Sequence, residues 1–226
     1  MIKSKIKIRT RYMPEGLKIL YDDRDIIIID KSAGLLSVKS NYEKEKTAHF
    51  LLTNYIKKGN PRIKESLFAV HRLDRETSGI LIFAKSYAIR EKFVEQWTTV
   101  EKKYLALVHG TLKEKSGIIE SYLAEGKDYR VRRVENASEG KLARTKYKVV
   151  KEFKKSTLLE IELLTGKKNQ IRVQFSEKGH PLIGDSKYGN SIKGRLALHA
   201  WSIKFKHPHS DEEMYFETKI PDCFMI

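Results

Sequence analysis

The sequence predicts an α+β fold: a single domain with a mainly antiparallel mixed sheet flanked by helices. Three observations lead there. Short apolar, β-branched segments outnumber helical ones, strands and helices do not alternate regularly, and no Pro-, Gly- or Ser-rich linker divides the chain, which holds 5 prolines in 226 residues. At one domain per roughly 100 to 200 residues, the length suits one large domain and a substantial core.

The first strong strand is expected at residues 25–30. Its run Ile26-Ile27-Ile28-Ile29 is too short and too β-branched for a helix, and Ser32-Ala33-Gly34 closes it. A short strand over 35–39 follows. Residues 47–58 read as a helix, with Thr47 able to cap it, Phe50, Leu51, Tyr55 and Ile56 at helical spacing, and Gly59-Asn60-Pro61 to stop it. Segments 67–73 and 80–84 are strand-like, and the polar stretch 74–79 between them is long for a hairpin turn. Residues 87–97 form a helix with Ile89, Phe93 and Trp97 at i, i+4 and i+8, and 103–109 returns to strand before Gly110. Beyond residue 118 sheet predominates, at 118–123, 145–152 and 157–164, where Leu159, Ile161 and Leu163 alternate with other residues. A helix over 168–178, capped around Thr165-Gly166 and ended by Gly179-His180-Pro181, precedes strands at 196–205 and 214–218.

Composition narrows the function. Lys plus Arg number 45 against 29 Asp plus Glu, a formal charge of +16, which points to an anionic partner. Residues 126–155 hold 11 Lys or Arg against 4 acids. A face of this kind neutralises phosphates and binds nucleic acid in a salt-sensitive way; a merely solvated face would carry the same charge. One cysteine, Cys223, allows neither an internal disulfide nor a cysteine metal cage, so a reducing, cytoplasmic setting is expected. The first 16 residues alternate Lys or Arg with Ile and lack a signal-peptide core, and no apolar run approaches the roughly 20 residues that cross a bilayer, so no membrane partner is expected. No metal site is expected either: His207-Pro208-His209 lacks further ligands at a recognisable spacing, and both histidines read as surface residues. His199, in an apolar strand, reads as a buried group. Residues 184–189 lack the spacing of a phosphate loop. Without coiled-coil heptads or other demand for a protein partner, a monomer is expected.

The segment His71-Arg72-Leu73-Asp74-Arg75-Glu76-Thr77-Ser78-Gly79 mounts a doubly charged loop between two short apolar strands. A carboxylate so held can serve as a nucleophile or general base; equally, Asp74 can simply bind the amides of its own turn. The longer run HRLDRETSGILIFAKS resembles the signature of the RluA family of RNA pseudouridine synthases: HRLD, two residues, TSG, an apolar stretch, then AK. Further agreement follows in order: DIIIIDKSAGLL at 25–36, Lys102-Lys103-Tyr104, Thr165-Gly166 through Gln170-Ile171-Arg172, the 184–189 segment and Leu198-His199-Ala200. The resemblance covers roughly residues 17–224. It implies a pseudouridine synthase fold and an isomerase, with Asp74 as the essential aspartate, Tyr104 as the tyrosine that stacks on the base, Arg172 as the arginine pairing with Asp74, and Arg72 as the side chain that enters the RNA at the vacated position.

The chemistry needs these residue types. Isomerisation breaks the N1–C1′ bond, turns the uracil and joins C5 to C1′ without oxidation or net hydrolysis, so no cofactor is expected. It calls for a carboxylate that attacks C1′ or C6 or takes a sugar proton, an arginine that orients it, and a site that excludes water. The stacked base must be flipped out at a cost of a few kcal/mol. Tyr104 offers a flat face for the uracil and a phenol able to accept or relay the C5 proton, and Arg72 can fill the gap while contacting phosphate. Arg130, Arg132 and Arg133 of the basic stretch, with Lys167, are candidate RNA contacts. Two departures stand in the TGRxHQIR pattern, Lys167 for Arg and Asn169 for His, and Ser32 replaces a usual Pro. Many relatives carry an N-terminal S4-type module; residues 1–16 read here as an extension and 17–226 as the catalytic domain, so structured ribosomal or transfer RNA would be gripped by the catalytic domain itself. Two rivals remain: an RNA-binding protein without essential catalysis, and a hydrolase in which water reaches the sugar and uracil leaves.

Overall fold

In the computed structural model, which describes residues 14–58, 60, 62, 66–189 and 194–224, the chain runs β1 (Leu17–Asp22), β2 (Ile26–Lys31), α1 (Ala48–Ile56), β3 (Phe68–Ala69), β4 (Ser78–Ala84) and α2 (Tyr87–Gln96). It continues through β5 (Glu101–His109), β6 (Ser116–Glu125), β7 (Val131–Val134), β8 (Lys141–Glu152), β9 (Ser156–Leu163), α3 (Gln170–Glu177), β10 (Leu198–Lys206) and β11 (Glu213–Glu217). The pairs β1/β2, β2/β4, β3/β4, β5/β9, β6/β7, β6/β8 and β8/β9 are all antiparallel, the fold class the sequence indicated. Residues 1–13, Gly59 and Pro61 lie outside the described residues, and with them the expected helix stop and most of the expected N-terminal extension. No helix among the described residues is long and apolar enough to cross a membrane.

Contacts divide the chain into two compact units. The first holds residues up to Val100 together with Ile203–Thr218, in strand order β1-β2-β4-β10, with β3 on β4 and β11 on β10. All four isoleucines of β2 are fully buried, and β4 is buried at every position. One face packs Ile26, Ile28, Ile80 and Ile82 against Ile89 and Phe93 of α2; on the other, Phe83 lies 6.0 Å from the ring of His49 on α1. Burial on both faces is why these strands read as unbroken apolar runs. Thr47 and Ser86 cap α1 and α2 by accepting the Phe50 and Ile89 N–H groups.

Three expectations in this unit need correction. Only Phe68 and Ala69 of segment 67–73 pair as strand, because side chains then take over the backbone: His71 Nε2 accepts the Ile82 N–H and Ser37 Oγ accepts that of Leu73. Segment 35–39 is no strand; it makes one parallel bridge, Leu36 to Thr47, and Ser37 is committed to Leu73. His207 is not a surface residue. It is 5% exposed, its Nε2 lies 3.1 Å from Asp23 Oδ2 and its Nδ1 accepts the N–H groups of His209 and Ser210, while His209 is exposed as expected.

The second unit holds Glu101–Ser202 and the segment from Lys219, in strand order β10-β5-β9-β8-β6-β7. Ala106, Val108, Leu159, Ile161 and Tyr147 face Ile171 and Phe175 of α3 in one core. The helix begins at Gln170 rather than 168, and its cap is Asn169 in the left-handed conformation (φ 53°), a conformation asparagine tolerates. Thr165 does not cap it, because its hydroxyl accepts the Arg144 N–H and donates to the Gln170 carboxamide. Strand β7, unannounced by the sequence, pairs Arg133 with Leu123 of β6.

Candidate active site

Asp74 sits in the first unit, half-buried, in the connection from β3 to β4. Antiparallel pairing of β2 with β4 sets Lys31 opposite Gly79, beside the end of this connection. Lys31 is 0% exposed, and its ammonium donates to the carbonyls of Ser32, Leu35 and Arg75 at 2.9, 2.7 and 3.2 Å. Burying an ammonium is tolerable only with such partners, so the charge pins the loop to the end of β2. Ser37 Oγ bonds the carbonyl and the N–H of Leu73, the Gly34 N–H donates to Arg75 O, and the Thr77 N–H closes the turn on Asp74 O. The His71 ring packs against that of Trp97, with centroids 4.9 Å apart and planes tilted by 30°. The carboxylate is thus carried on a backbone fixed on both sides. Arg72, one residue before Leu73, is exposed to solvent.

Tyr104 and Arg172 belong to the second unit. Tyr104 is half-buried on β5, in register with Ile161 of β9, and packs on the core that contains Ile171. Partners in an antiparallel register share a face, so Tyr104 lies on the side of the sheet that α3 covers. Lys102, two residues earlier, shares that face; burial pulls its ammonium below the usual lysine range, an effect Glu162 partly offsets. Arg172 is nearly buried, and its Nε and Nη2 donate to Asp185 Oδ2 and Oδ1 at 2.8 and 2.7 Å. This bidentate pair occupies two of the five guanidinium donors. Asp185, 1% exposed, also accepts the N–H groups of Lys187 and Tyr188. Burial alone would push its carboxyl up, but the Arg172 guanidinium and the two amides outweigh that and hold it below the ordinary value. Nothing in the spacing of the 184–189 segment announces that Asp185 grips Arg172.

The replaced residues find partners. Asn169 Oδ1 accepts from Tyr188 Oη at 3.1 Å and from Lys187 Nζ at 3.4 Å. Lys167 is half-buried and donates its backbone N–H to Gln170 Oε1, while Gln170 Nε2 donates to Arg144 O and Thr145 Oγ1, tying the start of α3 to β8.

The basic stretch divides between two faces. In β8, Ala143, Thr145 and Tyr147 are buried toward α3, so Arg144, Lys146 and Lys148 point to the opposite face, where Arg144 pairs with Glu120 and Lys146 with Glu162. The turn between β6 and β7 is different: Arg130 lies over the ring of Tyr188 at 5.1 Å. Arg132 forms a two-point ion pair with Asp128, and Arg133 lies 3.7 Å from Glu135, both exposed.

The family described as RNA pseudouridylate synthase matches residues 25–177. The chain is 38% identical over 221 residues to the ribosomal large subunit pseudouridine synthase D of Nitrosomonas europaea, covering 91% of this chain and 62% of the relative. It is 35% identical to the uncharacterized RNA pseudouridine synthase YhcT of Bacillus subtilis, over 91% of this chain and 69% of that one. The chain therefore spans about two thirds of the length of these relatives. In fold it matches the solved human RNA pseudouridylate synthase domain containing 4, with a TM-score of 0.76, 24% identity and coverage of 92% and 90% of the two chains. Motif order, sheet and alignment along nine-tenths of the sequence agree: the chain belongs to the RNA pseudouridylate synthase family.

Proposed function

We propose that residues 17–226 act as one catalytic domain that isomerises specific uridines of structured RNA to pseudouridine through Asp74, with no cofactor. The mounting of Asp74 carries the reading: a buried ammonium, a serine hydroxyl and two backbone bonds fix the loop that bears one half-buried carboxylate. Asp74 attacks C1′ or C6 or takes a sugar proton, Tyr104 offers its flat face to the flipped uracil, Arg172 orients the reacting carboxylate, and Arg72 fills the vacated position in the RNA. In this reading Asp185 positions Arg172. The name of the Nitrosomonas relative supports ribosomal RNA over transfer RNA as the substrate class.

RNA labelled with tritium at uracil C5 tests the assignment, because joining C5 to C1′ expels that hydrogen. The wild-type chain should release tritium to water with no free uracil, and D74N should lower the rate by at least about three orders of magnitude. Release of free uracil would instead establish a hydrolase. RNA binding with no turnover, indifferent to D74N, would establish a binding protein.

A further inference from the structure

We propose that Tyr188 is a positioning residue that holds the basic turn between β6 and β7 in register with Arg172, so that a phosphate gripped by Arg130 and the nucleotide served by Arg172 belong to one RNA strand. The proposal rests on the function proposed above and adds how the RNA is aligned to the site.

Two segments remote in sequence converge on this side chain, together with its own neighbour Lys187. Tyr188 is 9% exposed; its hydroxyl accepts the Val131 N–H at 3.0 Å and donates to Asn169 Oδ1 at 3.1 Å. One hydroxyl thereby joins the first residue of β7 to the left-handed cap of α3, three residues before Arg172. Around the ring, Arg130 Cζ and Arg172 Cζ stand 5.1 and 5.3 Å from the centroid and Lys187 Nζ stands at 5.5 Å. The electron-rich ring attracts each cation; Asp185 already balances the charge of Arg172, so an incoming phosphate is drawn chiefly to Arg130 and Lys187.

The neighbours of Tyr188 reinforce the same link. Lys187 Nζ donates to Tyr129 O at 2.9 Å, and Asp185, the partner of Arg172, accepts the N–H of Tyr188 at 3.0 Å. The turn is itself closed: the Tyr129 N–H donates to Gly126 O and the Gly126 N–H to Arg130 O, both at 2.9 Å. A displacement of the turn is therefore transmitted to the segment that holds the guanidinium of Arg172. A tyrosine serving only as core filler would need neither the two-sided hydroxyl nor cations from two remote segments.

A double-mutant cycle on the full chain tests this, with two readouts: binding of a labelled structured RNA at fixed salt, and tritium release from RNA labelled at uracil C5. R130A should weaken RNA binding about tenfold in the wild-type background and less than about twofold in Y188F, and Y188F alone should lower kcat about tenfold. If R130A costs the same factor in both backgrounds, Tyr188 is a structural residue and the proposal fails. Should Y188F not fold, N169G serves in its place, since it removes the acceptor of the hydroxyl while glycine keeps the φ of 53°. A wild-type chain that releases no tritium refutes the proposed function alone, because the binding cycle still reads the coupling.

Discussion

The pair formed by Arg172 and Asp185 shows what a single residue contributes. Both side chains are almost wholly withdrawn from water, so removing one charge strands the other. D185N should destabilise the fold by about 3 kcal/mol in urea unfolding at pH 7, and lower turnover because Arg172 loses its anchor. Since the folded Asp185 carboxyl is held below its ordinary 3.8, its contribution is present above that pH and is lost as pH falls through the folded value; D185N lacks this acid-dependent loss. His199 acts at a higher pH. Burial, then the charge of Arg195, pulls its imidazole from 6.5 to about 4, so the unfolded chain takes up a proton between those values and the folded one does not. Wild-type stability should therefore fall by roughly 3 kcal/mol as pH drops from 6.5 to 4, and that part of the slope should flatten in H199Q. At this scale the sequence marks Asp74, Tyr104 and Arg172 only as candidates, through the motifs of the family it resembles, whereas the burial of His199 was legible in its apolar setting. It could not announce that Arg172 is gripped by Asp185, that Lys31 closes on three carbonyls or that His207 turns toward Asp23, because such partners are chosen by the fold and not by spacing.

Strand alternation decides which cations of the basic stretch lie on the face away from α3. Every second residue of β8 changes face, so Arg144, Lys146 and Lys148 stand opposite α3 although they are close in sequence to the turn that carries Arg130. R130A should reduce the slope of log affinity against log salt by about one, whereas K148A should leave the slope unchanged, as measured by RNA binding over a range of salt concentrations. Equal changes would mean that both faces touch RNA. The central strands were legible because β2 and β4, buried on both faces, display unbroken apolar runs. Segment 67–73 and the start of α3 were not, because side chains of His71, Ser37 and Thr165 take up backbone groups that a strand or helix would otherwise pair. Strand β7 was hidden for another reason: Arg132 and Arg133 interrupt its apolar pattern and read as charge rather than as sheet.

Over the whole molecule, the irregular order of strands and helices was enough to indicate a mainly antiparallel α+β fold, and the excess charge of +16 was enough to indicate an anionic partner. Neither observation identifies a reaction. In the proposed function the reaction turns on one carboxylate, that of Asp74 in the rigidly mounted HRLD loop. The most direct test is to replace the chromosomal gene with a D74N allele and map pseudouridines in cellular RNA by chemical labelling. Catalysis through Asp74 predicts that discrete sites present with the wild-type allele vanish while the protein persists at normal abundance. An unchanged map with D74N protein present would contradict it.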